Sequence, residues 1–158
     1  MTRMIMILAG LLGMACQPQG GLTAEEQANV DAVRTRVAAY NAQAEGWLED
    51  FGGGLADDFI YQGYGPWAPE GMTADRDQLI EMVTGAAKAF PDRTTTIHNI
   101  VASGDTVVLE TEWSGTASDQ NPMLKPGERQ GLREVLIHRF RDGKIVETKE
   151  YGIVMPAP

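Results

Sequence analysis

Only a handful of side chains in this 158-residue chain have both the type and the neighbours that chemistry needs. His138 stands in the run Glu134-Val135-Leu136-Ile137-His138-Arg139-Phe140, where alternate residues share a strand face, so Glu134 and His138 look the same way. A histidine so placed can act as a general base while a carboxylate sets its tautomer and basicity. It equally suits a core position where a backbone carbonyl satisfies the ring. Asp58, preceded by Asp57, comes shortly before Tyr61 and Trp67. In an apolar cavity its carboxyl would have a raised pKa and could pass a proton beside a carbonyl, whereas on the surface an Asp-Asp pair caps a helical turn. Tyr151, near the end of a late strand, is a candidate donor to an oxyanion. Tyr61, Tyr64 and Trp67 fall within seven residues of a Gly- and Pro-rich segment, and with Trp113 they suit either gripping a flat apolar ligand or plugging a core.

Composition narrows what such residues can serve. Thirteen basic against 22 acidic residues leave a formal charge of −9, a field that repels phosphate backbones, so nucleic acid is not an expected partner. One cysteine excludes a disulfide framework and a Cys-rich zinc site. With two histidines, no metal and no cofactor is expected. An apolar share of 43% with 22% charged residues is that of one ordinary globular domain.

The single cysteine belongs to a different kind of segment. Residues 1–15 carry Arg3 and then the apolar run Ile5 to Ala15, which has the anatomy of a secretory signal peptide and is too short to span a bilayer at about 20 residues. Cys16, directly after Ala15, would become the first mature residue. This arrangement resembles a bacterial lipoprotein signal, which implies a lipidated Cys16 and, with Gln17 following it, an outer-membrane lipoprotein facing the periplasm. Residues 16–22 then read as lipidated cysteine and flexible tether, and residues 23–158 as the folded domain, touching the membrane only through its lipid.

The elements that must position the candidates follow from periodicity. Thr23-x-x-Glu26 is a capping box that opens a helix. Val30, Val33, Val37, Tyr40, Ala44 and Trp47 continue its apolar stripe for about seven turns, until Gly52-Gly53-Gly54. Leu55 to Tyr61 reads as a helical turn entering a short strand, and Gly63 to Pro69 as an aromatic loop. A second helix spans about Ala74 to Phe90, started by Thr73 or Asp75 and stopped by Pro91. Strands over Thr94–Ala102 and Thr106–Ser114 meet at Ser103-Gly104-Asp105, residues Ala117 to Arg129 form a long loop, and strands over Leu132–Phe140 and Lys144–Val154 meet at Asp142-Gly143. In the second strand Val107, Leu109, Thr111 and Trp113 form the apolar face, so Trp113 is expected to point inward. The face carrying His138 is assigned to the interior because Arg133, Arg139 and Arg141 belong on the wetter side. The order predicts an α+β fold, a curved antiparallel sheet packed on N-terminal helices.

Five segments carry a resemblance. Leu55-Ala56-Asp57-Asp58-Phe59, Ala89-Phe90-Pro91-Asp92, Ala102-x-Gly104-Asp105-x-Val107, Trp113-Ser114-Gly115-Thr116 and Phe140-Arg141-Asp142-Gly143-Lys144-Ile145-Val146-Glu147 are together similar to the SnoaL-like (polyketide-cyclase-like) proteins of the nuclear-transport-factor-2-like superfamily. The resemblance covers roughly residues 25–154. It implies a cone, a cystatin-like α+β barrel, whose open end forms an apolar pocket for a small hydrophobic ligand. Superfamily members include isomerases, cyclases, hydrolases and proteins that only bind, so ketosteroid-isomerase-like or polyketide-cyclase-like acid–base chemistry stays an alternative to simple binding. Lys149-Glu150 stands where many such members carry tryptophan and then aspartate, which argues against copying a cyclase mechanism. Pairing of the open sheet into a homodimer is the third expectation, and a wide apolar outer face around Val108 and Val135 would favour it.

Overall fold

The computed structural model describes residues 21–155, so the expected leader and Cys16 lie outside the described residues. Helix α1 (Ala24–Ala42) opens on the expected capping box: the Thr23 hydroxyl accepts from the Glu26 N–H at 3.2 Å, and the Glu26 carboxylate accepts from the Thr23 N–H at 2.8 Å. The stripe of seven turns is divided. Gln43 takes a left-handed φ of 48° and ends α1, and Trp47 begins a separate helix α2 (Trp47–Gly53). The aromatic contacts Tyr40–Trp47 and Tyr40–Phe51, at 6.1 and 6.0 Å between ring centroids, fold α2 back on the end of α1.

Strand β1 (Leu55–Gly65) follows directly, without the expected helical turn, and the aromatic loop is the turn of a hairpin into β2 (Ala68–Asp75). Pro69 and Gly71 hid β2 from a propensity reading, since both are poor strand residues away from an edge, and β2 is an edge strand. Asp75 caps α3 (Arg76–Ala89) in a second capping box with Gln78. The chain then forms β3 (Thr94–Ser103), β4 (Thr106–Thr116), β5 (Arg129–Arg141) and β6 (Lys144–Val154).

The six strands make one sheet in the order β2-β1-β6-β5-β4-β3. Every pairing is antiparallel except β1 with β6, so the sheet is mixed and not purely antiparallel. Three reversals from β3 to β6 bring β6 back beside β1 in the same direction. The β5–β6 turn uses Asp142 and Gly143 at φ of 53° and 74°, the left-handed pair that such tight hairpins require.

Register decides what faces inward. Thr111 pairs with Glu134, Leu109 with Leu136, Val107 with His138, and His138 with Thr148, all on the concave face that α1 and α3 cover. Val33, Leu55, Phe59, Val107, Leu109 and Ile145 fill one apolar cluster, each at most 2% exposed. A second cluster gathers Ala89, Phe90, Trp113, Ala117 and Leu132. The two do not merge, and a cavity lined by members of both lies between them.

Candidate functional site

The cavity encloses about 600 Å³. Its outer part is apolar or aromatic: Trp67 from the β1–β2 turn, Met82, Val83 and Phe90 near α3, Trp113 and Leu132 from the sheet, and Met123 and Leu124 from the loop before β5. The Trp113 indole N–H donates to the Tyr40 hydroxyl at 3.0 Å, and its ring meets Phe90 edge-on at 4.9 Å. Trp67 folds over Gly152 and Gly65, where any larger side chain would collide with the indole.

Its inner part is polar. The Tyr61 hydroxyl on β1 donates to the Glu150 carboxylate on β6 at 3.2 Å, and the Thr111 hydroxyl on β4 donates to Glu134 on β5 at 3.2 Å. His138 Nδ1 lies 2.9 Å from the Thr148 hydroxyl. Arg36 reaches the same wall from α1, its guanidinium 3.9 Å from the centre of the Phe51 ring.

Burial governs the charge of these groups. Desolvation, reinforced by the nearby Glu150, pushes Glu134 up to about 8. Desolvation pushes Glu150 up to about 7, although the Tyr61 hydroxyl and the Arg36 charge pull the other way. His138 is driven down to about 3, first by burial and then by the Arg36 charge, so its imidazole is neutral at ordinary pH. The Tyr61 phenol is raised by burial and then by Glu150. Near neutrality the two carboxyls therefore hold protons they would lose in water, and a carboxyl in that state both donates and accepts one.

Several sequence candidates meet here. His138, Tyr61, Trp67 and Trp113 all line the cavity, and the expected inward faces of β4 and β5 are the observed ones. The ring of His138 is met by the Thr148 hydroxyl. Asp58 lies elsewhere. The register shift between Leu55 and Ile60 bulges β1 outward, and the Asp58 side chain, 65% exposed, accepts from Arg141 at 2.6 and 2.9 Å. That partner holds its carboxyl below the usual range, opposite to the raised pKa a pocket acid requires. Tyr64 and Tyr151 also face away from the cavity and stack on each other across the outer sheet face, 5.2 Å apart and within 8° of parallel. Lys149 and Glu147 lie on that outer face as a pair at 3.7 Å. The sequence reading overlooked Glu150 and Arg36 as cavity groups. The signal for Glu150 was alternation, which puts it on the face opposite Tyr151; the signal for Arg36 was its position between Val33 and Tyr40 on the buried side of α1.

A curved sheet closed by helices around an apolar hollow with a few polar groups at its base is the cone of nuclear-transport-factor-2-like, cystatin-type α+β proteins. More narrowly, the chain belongs to the SnoaL-like domain family, whose model matches residues 33–148. It is similar to the crystal structure of a candidate SnoaL-like polyketide cyclase from Jannaschia sp. CCS1, with 17% identity, a TM-score of 0.72, and 84% of this chain and 90% of that one covered. IdmH, a candidate polyketide cyclase from Streptomyces antibioticus, matches with 26% identity and a TM-score of 0.65 over 78% of this chain and 91% of its own. A protein with a ketosteroid-isomerase-like fold from Catenulispora acidiphila DSM 44928, crystallised in complex with trimethylamine, matches with 18% identity and a TM-score of 0.61 over 77% and 84% of the two chains. No curated protein is similar enough to the chain to match it.

Proposed function

We propose that this SnoaL-like domain takes a small, mainly apolar molecule into its cone, polar end inward. The observation that carries this reading is the cavity of about 600 Å³, lined mainly by apolar and aromatic side chains with the titratable groups Glu134, Glu150, Tyr61 and His138 among its polar ones. Such an arrangement orients a ligand: the greasy walls supply affinity, and the few polar groups choose which end goes in. The Catenulispora protein of similar fold was crystallised in complex with trimethylamine, which supports the binding of small molecules by such a fold. Stabilisation of the domain by 1-naphthol and 2-tetralone in a thermal-shift assay, weakened by Trp113→Ala and Trp67→Ala, is the expected result. Equal shifts in all three proteins would contradict it.

The Glu134–Glu150 pair favours a second reading, proton transfer on the bound molecule. Either carboxyl can release or receive a proton near neutral pH, and the Tyr61 hydroxyl is held against Glu150 to support it. Exchange of the α-hydrogens of 2-tetralone in deuterated water, followed by NMR, tests this directly. Catalysed exchange that survives Glu150→Gln undiminished would remove Glu150 from the role.

Two further expectations stand as proposals. Residues 1–15 are read as a secretory leader and Cys16 as a lipidated N-terminus, so radiolabelled palmitate should mark the wild type and not Cys16→Ser. The outer sheet face carries exposed Val101, Val135, Tyr151 and Ile153, which supports self-association through that face. Sedimentation of the wild type against Ile153→Lys would separate dimer from monomer.

A further inference from the structure

Arg36 is the group in the cone that the reading above leaves without a task. It lies on the buried side of α1, packed against Phe51, and lines the cavity. Its Nε is buried and has no hydrogen-bond partner, and among the described residues no carboxylate lies within 4 Å of its guanidinium. A buried cation without a close counter-ion is costly, and planar guanidinium is the side chain best shaped to receive a carboxylate. The apolar walls leave room beyond it for a hydrocarbon or aryl body.

We propose that Arg36 anchors the head of an apolar monocarboxylic acid, bound carboxylate inward with its body along Trp67, Trp113 and Leu132. The inference rests on the cone being a ligand site and adds the chemical class of the ligand. The other titratable groups facing this floor are Glu150 on β6, Glu134 and His138 on β5, Tyr61 on β1 and Tyr40 on α1; the cavity-lining parts of α2 and α3 add only apolar side chains. Glu150 is the counter-charge that Arg36 feels at longer range. When Glu150 and Glu134 hold their protons the positive charge lining the cavity is that of Arg36, with Arg93 buried behind Tyr40, and Arg36 is neutralised by one ligand carboxylate. When both carboxyls ionise, they repel it. Binding therefore takes up protons and strengthens as pH falls through the range in which these two groups titrate.

Calorimetric titration of the intact domain with decanoate, decanol and decylamine at pH 6 and pH 8 tests this. The expected result at pH 6 is decanoate at least tenfold tighter than decanol, weakening at pH 8, while decanol is indifferent to pH. Arg36→Met should abolish the preference for decanoate and retain decanol binding, and Arg36→Lys should restore part of it. Repeating the wild-type titration at pH 8 in buffers of different ionisation enthalpy measures proton uptake without any variant, which covers a variant that fails to fold. Decanol or decylamine binding the wild type as tightly as decanoate, or decanoate binding without proton uptake, would overturn the assignment and leave the cone a ligand site. Failure of all three probes to bind would remove that broader reading as well.

Discussion

The two faces of the sheet treat the same residue type in opposite ways. On the outer face Glu112 meets Arg133 at 3.3 Å and His98 at 3.2 Å, Glu110 meets the same arginine at 3.4 Å, and Glu147 lies between Arg139 and Lys149. On the inner face Glu134 has a threonine hydroxyl and Glu150 a tyrosine hydroxyl, with no cation within 4 Å among the described residues. Glu112 and Glu134 sit on neighbouring strands, yet one lies half-exposed beside Arg133 and His98 and the other is a buried acid reluctant to ionise. A carboxylate's chemistry here is set by which side of one pleat it occupies. Outer glutamates sit in surface ion pairs, and burial raises the inner ones.

The contrast yields perturbations of very different size. Trp113→Ala, which empties an inner position and orphans the Tyr40 hydroxyl, should cost about 3–5 kcal/mol in a denaturant melt. Glu150→Gln should slow any catalysed α-hydrogen exchange by about a hundredfold or more while leaving the melt near that of the wild type. A pH series should expose the inner groups next. Glu134 and Glu150 are raised in the folded state, so above the unfolded carboxylate range folding holds protons the unfolded chain releases, and stability falls as pH rises towards about 8. His138 is depressed to about 3, so stability also falls as pH drops below the ordinary histidine range, where only the unfolded chain protonates it. Together the three groups place their optimum on the acid side of neutrality, near the unfolded carboxylate range, and Glu134→Gln should flatten the alkaline slope. Smallest is the outer face: Arg133→Ala, which breaks two half-exposed ion pairs, should change stability by less than about 1 kcal/mol. An outer-face effect as large as that of Trp113→Ala would collapse the distinction between the two sides.

Alternation made much of this legible in the sequence. The inward facing of Trp113, the His138 face of β5 and both late hairpins follow from a period of two and from Asp142-Gly143, because a one-residue slip would expose a whole strand. Other features resisted for physical reasons. The break between α1 and α2 is made by the left-handed backbone of Gln43 and Gly46, while the apolar spacing runs on through Trp47. Asp58 was drawn towards the pocket by its neighbours Tyr61 and Trp67, but a bulge in β1, invisible to pattern, turns it outward to Arg141. Arg36 and Arg93 were hidden by their type. Arginine reads as surface, yet Arg93 is 1% exposed, sandwiched against Tyr40 and Trp47, and is accommodated by aromatic faces that no spacing rule signals.

The strand that joins the two parts of the sheet is the last of the six in chain order among the described residues. β6 lies between β1 and β5, and its Glu150 meets Tyr61 across 89 residues of chain. A nascent polypeptide halted before residue 144 therefore holds two separate sheet fragments, each with an open edge that invites intermolecular pairing, and no assembled acid centre. The meeting of Glu150 with Tyr61 therefore waits on the docking of β6, and until then both fragment edges stay open to other chains.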